Sequence, residues 1–97
     1  MNREFNPETV VIAANVATTY GQTKRTLQRV VSLARKLART ISAGNNRDRA
    51  RIANDLLKAT RAQNRTGATV RPENRPNLTV DGLNEFAAAL ETLISAN

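Results

Sequence analysis

Between Lys24 and Ile41 the chain sorts its side chains by helical angle. At about 100° per residue, Leu27, Val30, Val31, Leu33, Ala34, Leu37, Ala38 and Ile41 fall on one side. Lys24, Arg25, Gln28, Arg29, Ser32, Arg35, Lys36 and Arg39 fall on the other. So clean a division over five turns requires one continuous amphipathic helix with an apolar stripe to bury. It starts after Thr23, the expected cap, and runs to Ser42, where "AGNN" breaks it at Gly44. The apolar residues are mostly Ala, Val, Leu and Ile, with Phe5, Tyr20 and Phe86 the only aromatics, which suits helix-on-helix packing, and an all-α fold is expected.

Three further helices are expected. Asn6-Pro7-Glu8 starts the first: Asn caps, Pro suits the first helical position and Glu favours the positive end of the dipole. It extends over residues 7–20. A third helix, 46–64, buries Ile52, Ala53, Leu56, Leu57 and Thr60, and Asp55 can pair with Arg51 four residues before it. A last helix, 80–95, is capped by Thr79 or Asp81 and buries Leu83, Phe86, Ala87, Leu90, Leu93 and Ile94. Between these two, loop 65–79 contains Pro72 and Pro76, which hold their preceding residues extended, and Gly67 marks the turn out of the third helix. With 97 residues the chain makes one domain, a four-helix bundle-like fold with a long basic hairpin of its second and third helices.

Composition removes several classes of function. Cys and His are both absent, so disulfides, zinc sites built on those ligands and the commonest general base are excluded. No Gly-rich phosphate loop with its Lys and no metal-ligand cluster is legible. Ser32, Ser42 and Ser95 have no evident base. No catalytic residue, no cofactor, no metal and no small-molecule substrate is therefore expected. No apolar run reaches the ~20 residues that span a bilayer. The segment "MNREFNPETVV" places acidic residues and a proline ahead of any apolar stretch, unlike a secretory leader. A soluble, cytoplasmic protein is expected.

Charge points the other way, toward a partner. Fifteen Lys and Arg face eight Asp and Glu, net +7, and most of the cations are Arg, whose planar fork suits phosphate oxygens. The charge is concentrated. Residues 1–21 carry −1, residues 22–65 carry +10, residues 66–76 carry +1 and residues 77–97 carry −3. Ordinary solvated helix faces mix signs, but residues 22–65 hold twelve cations against two anions. Nucleic acid is the expected partner, DNA or RNA, held through its backbone. One row is Lys24, Arg25, Gln28, Arg29, Arg35, Lys36 and Arg39. The other is Arg47, Arg51, Lys58, Arg61 and Arg65, with Arg71 and Arg75 on the loop as an arm. No aromatic residue interleaves these faces, so base stacking on them is not expected.

The stretch "VATTYGQTKRTLQRVV", Val16 to Val31, adds a second signal. Ala17 stands where two helices would cross, Gly21 at the turn and Thr23 at the cap. Thr26, Leu27, Arg29, Val30 and Val31 follow in the order of a recognition helix. Over these sixteen residues the chain resembles the helix-turn-helix headpiece of lac-repressor-type DNA-binding proteins. The resemblance implies that Lys24, Arg25, Gln28 and Arg29 face DNA. The same residue order also arises at a plain junction of two packed helices, and both readings keep that set outward.

Two settings fit: a helical accessory subunit of a nucleoprotein complex, or a small DNA-binding regulator. The small helical subunits of CRISPR effector complexes are analogous in architecture alone. An inhibitor or adaptor that binds an acidic protein is the alternative. A thin core in a short chain favours a protein partner or self-association in each.

Overall fold

The computed structural model describes residues 6–18, 23–62 and 75–96. Among them are four helices and no strand: α1, Pro7–Thr18; α2, Lys24–Ser42; α3, Asn46–Ala59; and α4, Val80–Ala96. The fold is all-α and bundle-like.

Each helix begins on a side chain that takes up an orphan backbone N–H. Asn6 Oδ1 accepts from the N–H of Glu8 at 2.9 Å, Thr23 Oγ1 from Thr26 at 3.2 Å, Asn45 Oδ1 from Asp48 at 3.2 Å and Thr79 Oγ1 from Gly82 at 3.1 Å. Thr79, rather than Asp81, caps the last helix.

Two helix ends share one geometry. After α2, Gly44 takes φ 73°, its N–H donates to Ile41 O at 3.0 Å, and that of Asn45 donates to Thr40 O at 3.2 Å. After α3, Arg61 takes φ 60°, its N–H donates to Lys58 O at 3.1 Å, and that of Ala62 donates to Leu57 O at 2.9 Å. Both are Schellman ends, with one residue in the left-handed region closing the last carbonyls. Helix α3 thus stops at Ala59, not at residue 64. The apolar periodicity continues through Ala62, but that side chain is buried (0% exposed) in the turn beyond the helix, not as a helical position. No glycine announces this end. An arginine carries the positive φ, at a cost of roughly 1–2 kcal/mol relative to glycine. Gly67, residues 19 and 20 of the expected first helix, and residues 65–74 of the expected loop lie outside the described residues.

The helices touch in the order α1, α4, α2, α3: α4 packs on α1 and on α2, and α2 packs also on α3. Helix α2 is therefore covered on two flanks, which is why half its circumference is apolar. Its Leu27, Val30, Val31, Ala34, Leu37 and Ala38 are buried, with Leu33 and Ile41 half-buried. They meet Leu83, Phe86, Ala87, Leu90 and Ile94 of α4, Ala13 and Val16 of α1, and Ile52 and Leu56 of α3 in one core. Leu93, expected in the core, packs at its edge, and Ala89 is buried instead. Thr60 is buried too, and its hydroxyl donates to Leu57 O at 2.9 Å.

Gly82 sits in the first turn of α4, under the incoming chain. A Cβ there would lie 2.8 Å from Asn77 O and 2.9 Å from both Asn77 Cβ and Thr79 Oγ1. Helix propensity alone favours Ala over Gly by roughly 0.5–1 kcal/mol. The clash falls partly on backbone, however, and forcing it costs about 1–3 kcal/mol. Gly82→Ala should therefore lower stability in urea unfolding. A variant as stable as the parent would show that the turn at Asn77 yields freely.

Candidate nucleic-acid interface

The outward face of α2 stands in solvent along its whole length. Lys24, Arg25, Gln28, Arg29, Ser32, Arg35, Lys36 and Arg39 are all exposed, as the angular division requires. Nineteen residues at 1.5 Å each extend ~28 Å. The first turn contains no acidic residue but does contain Lys24 and Arg25. Cations at the positive end of a helix oppose its dipole by about 0.3–1 kcal/mol each. They weaken the helix there, and a phosphate placed among them relieves that opposition.

On α3, Arg47, Arg51, Asn54 and Lys58 are exposed, and so is Arg61 just past its end. Arg49 is exposed as well, but at about 100° per residue it falls on the side of Ile52 and Leu56 and so stands apart from that row. The sequence holds a signal for it: the first apolar residue of the core in this helix is Ile52, so the turn before it is open all round. Lys58 and Arg61 also stand at the negative end of α3, and Arg39 at that of α2, where cations are favourable for the helix itself.

Acidic neighbours modify two positions. Arg51 Nη2 lies 3.5 Å from Asp48 Oδ1, three residues before it and not the expected Asp55. The reason is local: Asp48 is fixed at the start of α3, its Oδ2 accepting from Asn45 Nδ2 at 2.9 Å. Arg35 is ion-paired with Glu91 of α4, a contact that helix periodicity cannot reveal because it joins two elements far apart in sequence. Arg75 is exposed on the approach to α4. Arg65 and Arg71 lie outside the described residues, as do Gly21 and Gln22 of the helix-turn-helix-like segment. The two helices that flank that segment both pack on α4.

Residues 23–62 thus carry eleven cations and two anions, on two adjacent helices and the turn that ends the second. Among the described residues no group of acidic residues is placed to hold a metal ion, and no helix is long and apolar enough to cross a membrane. No family model, no curated protein and no solved structure matches the chain.

Proposed function

We propose that this chain is a non-enzymatic nucleic-acid-binding protein of the cytoplasm that holds a phosphate backbone along the exposed faces of α2 and α3. One observation carries the reading: two adjacent helices and the turn after the second expose eleven cations beside only two anions over residues 23–62. The core consumes the apolar side of α2, so no apolar face is left beside the cations to insert into a lipid surface. Contacts to phosphate do not depend on base sequence. Backbone tracking uses the full length of α2, through Lys36 and Arg39. Groove entry by a short recognition helix would use only its start. The packing of α1 on α4 favours the first, and with it the role of an accessory subunit of a nucleoprotein complex.

The test compares two double variants on duplexes of unrelated sequence. Backbone tracking predicts that Gln28→Ala/Arg29→Ala and Lys36→Ala/Arg39→Ala each weaken binding roughly 10-fold, alike on every duplex. If the first pair alone matters, and only on particular sequences, the start of α2 reads a groove and backbone tracking fails. If neither matters, the basic faces serve an acidic protein instead.

A further inference from the structure

The seam between α2 and α4 sets one carboxylate against the basic face. Arg35 and Glu91 are ion-paired there, with side chains 44% and 45% exposed. Glu85, on the same helix, serves the framework, since its carboxylate accepts from the N–H of Asn6 and ties the start of α1 to α4. Glu91 makes no comparable tie. Helices α2 and α4 are already joined through Val31, Ala34, Leu37, Phe86, Leu90 and Ile94, and an exposed ion pair adds little to that. The pair borders a groove of about 300 Å³ that Gln28, Ser32 and Ser95 also line. An amide and two hydroxyls can donate to an oxyanion. A guanidinium accepts a carboxylate or a phosphate in the same forked geometry.

We propose that this groove is a phosphate seat whose resident anion is Glu91. When a strand binds, Arg35 exchanges the carboxylate for a phosphodiester oxygen, Gln28 and Ser32 donate to the same group, and Glu91 turns to solvent. The proposal rests on the backbone-binding reading above. Because one ion pair is broken as another forms, Arg35 adds little net affinity in the parent chain. Glu91 is then the residue that holds affinity below what the cation count implies, and it closes this flank to weakly held anions.

Duplex binding by the full chain is measured at several salt concentrations for Glu91→Gln, Arg35→Ala and the two together. Glu91→Gln should bind about 5- to 10-fold tighter, with a salt slope steeper by up to ~0.9, because the freed Glu91 of the parent takes up a cation that offsets the one its phosphate contact releases. Arg35→Ala should change affinity less than roughly 2-fold, because the parent gains little from this side chain. The double variant should bind no tighter than Arg35→Ala alone. Unchanged affinity and slope in Glu91→Gln overturn the seat, and so does a gain that survives in the double variant, since that is the general effect of deleting a negative charge. Urea unfolding checks each variant, and Glu91→Ala repeats the test should the glutamine variant fold poorly. If Lys36→Ala/Arg39→Ala weakens binding while Glu91→Gln changes nothing, the seat fails and backbone tracking stands. If none of these substitutions alters binding, both fall.

Discussion

Replacing Arg29, Lys36 and Arg39 together by alanine should lower affinity for a duplex of arbitrary sequence about 100-fold at low salt. Each exposed cation facing a phosphate contributes about 1 kcal/mol at the favourable end of its range, and three such contacts amount to roughly two decades in Kd. All three side chains are exposed on α2 and outside the core. The fold should survive with a small loss, because only Arg39 stands in the last turn, where a cation favours the helix by about 0.3–1 kcal/mol. Arg35 is left out deliberately, since breaking its pair with Glu91 offsets what it gains from a phosphate. Fluorescence anisotropy with a labelled duplex reads the loss. A variant that binds like its parent would remove α2 from the interface.

The largest effect on stability should come from Phe86→Ala. Phe86 is 1% exposed and belongs to α4, the helix that joins α1 to α2. Truncation removes the ring and leaves a cavity where helices meet, a change that costs about 3–5 kcal/mol in compact cores. Single domains have only about 5–15 kcal/mol to lose. The variant should therefore unfold at much lower urea concentration, followed by far-UV circular dichroism. A loss below about 1 kcal/mol would mean that α4 is not the centre of the core.

Much of this architecture is written in local pattern. The angular division of residues 24–41 fixes α2, and Asn6, Thr23 and Thr79 announce three of the starts because a helix needs acceptors for its first N–H groups. Helix ends are less legible. Gly44 is the usual left-handed residue and marks its end plainly. Arg61 adopts the same conformation with no sign in its residue type, so α3 reads several residues too long. Ala62 and Thr60 beside it are both buried, which periodicity reads as two more helical positions. The candidate interface divides the same way. Exposed cations on α2 follow from periodicity. The neutralisation of Arg35 by Glu91 does not, because it depends on α4 lying against α2. The order α1, α4, α2, α3 is likewise set by which apolar stripes fit one another, and single-helix periodicity carries no record of it.

Whether the exposed faces of α2 and α3 hold phosphate is decided by the salt dependence of duplex binding. The parent chain is measured beside the Arg29→Ala/Lys36→Ala/Arg39→Ala variant. Contact with about five phosphates predicts a slope near −4.5 in log affinity against log salt, a loss of roughly 500-fold between about 50 and 200 mM. The triple variant should flatten that slope by ~2.7, one phosphate for each cation removed. A parent whose affinity hardly changes with salt, or a variant with an unaltered slope, would show that these faces do not bind a phosphate backbone.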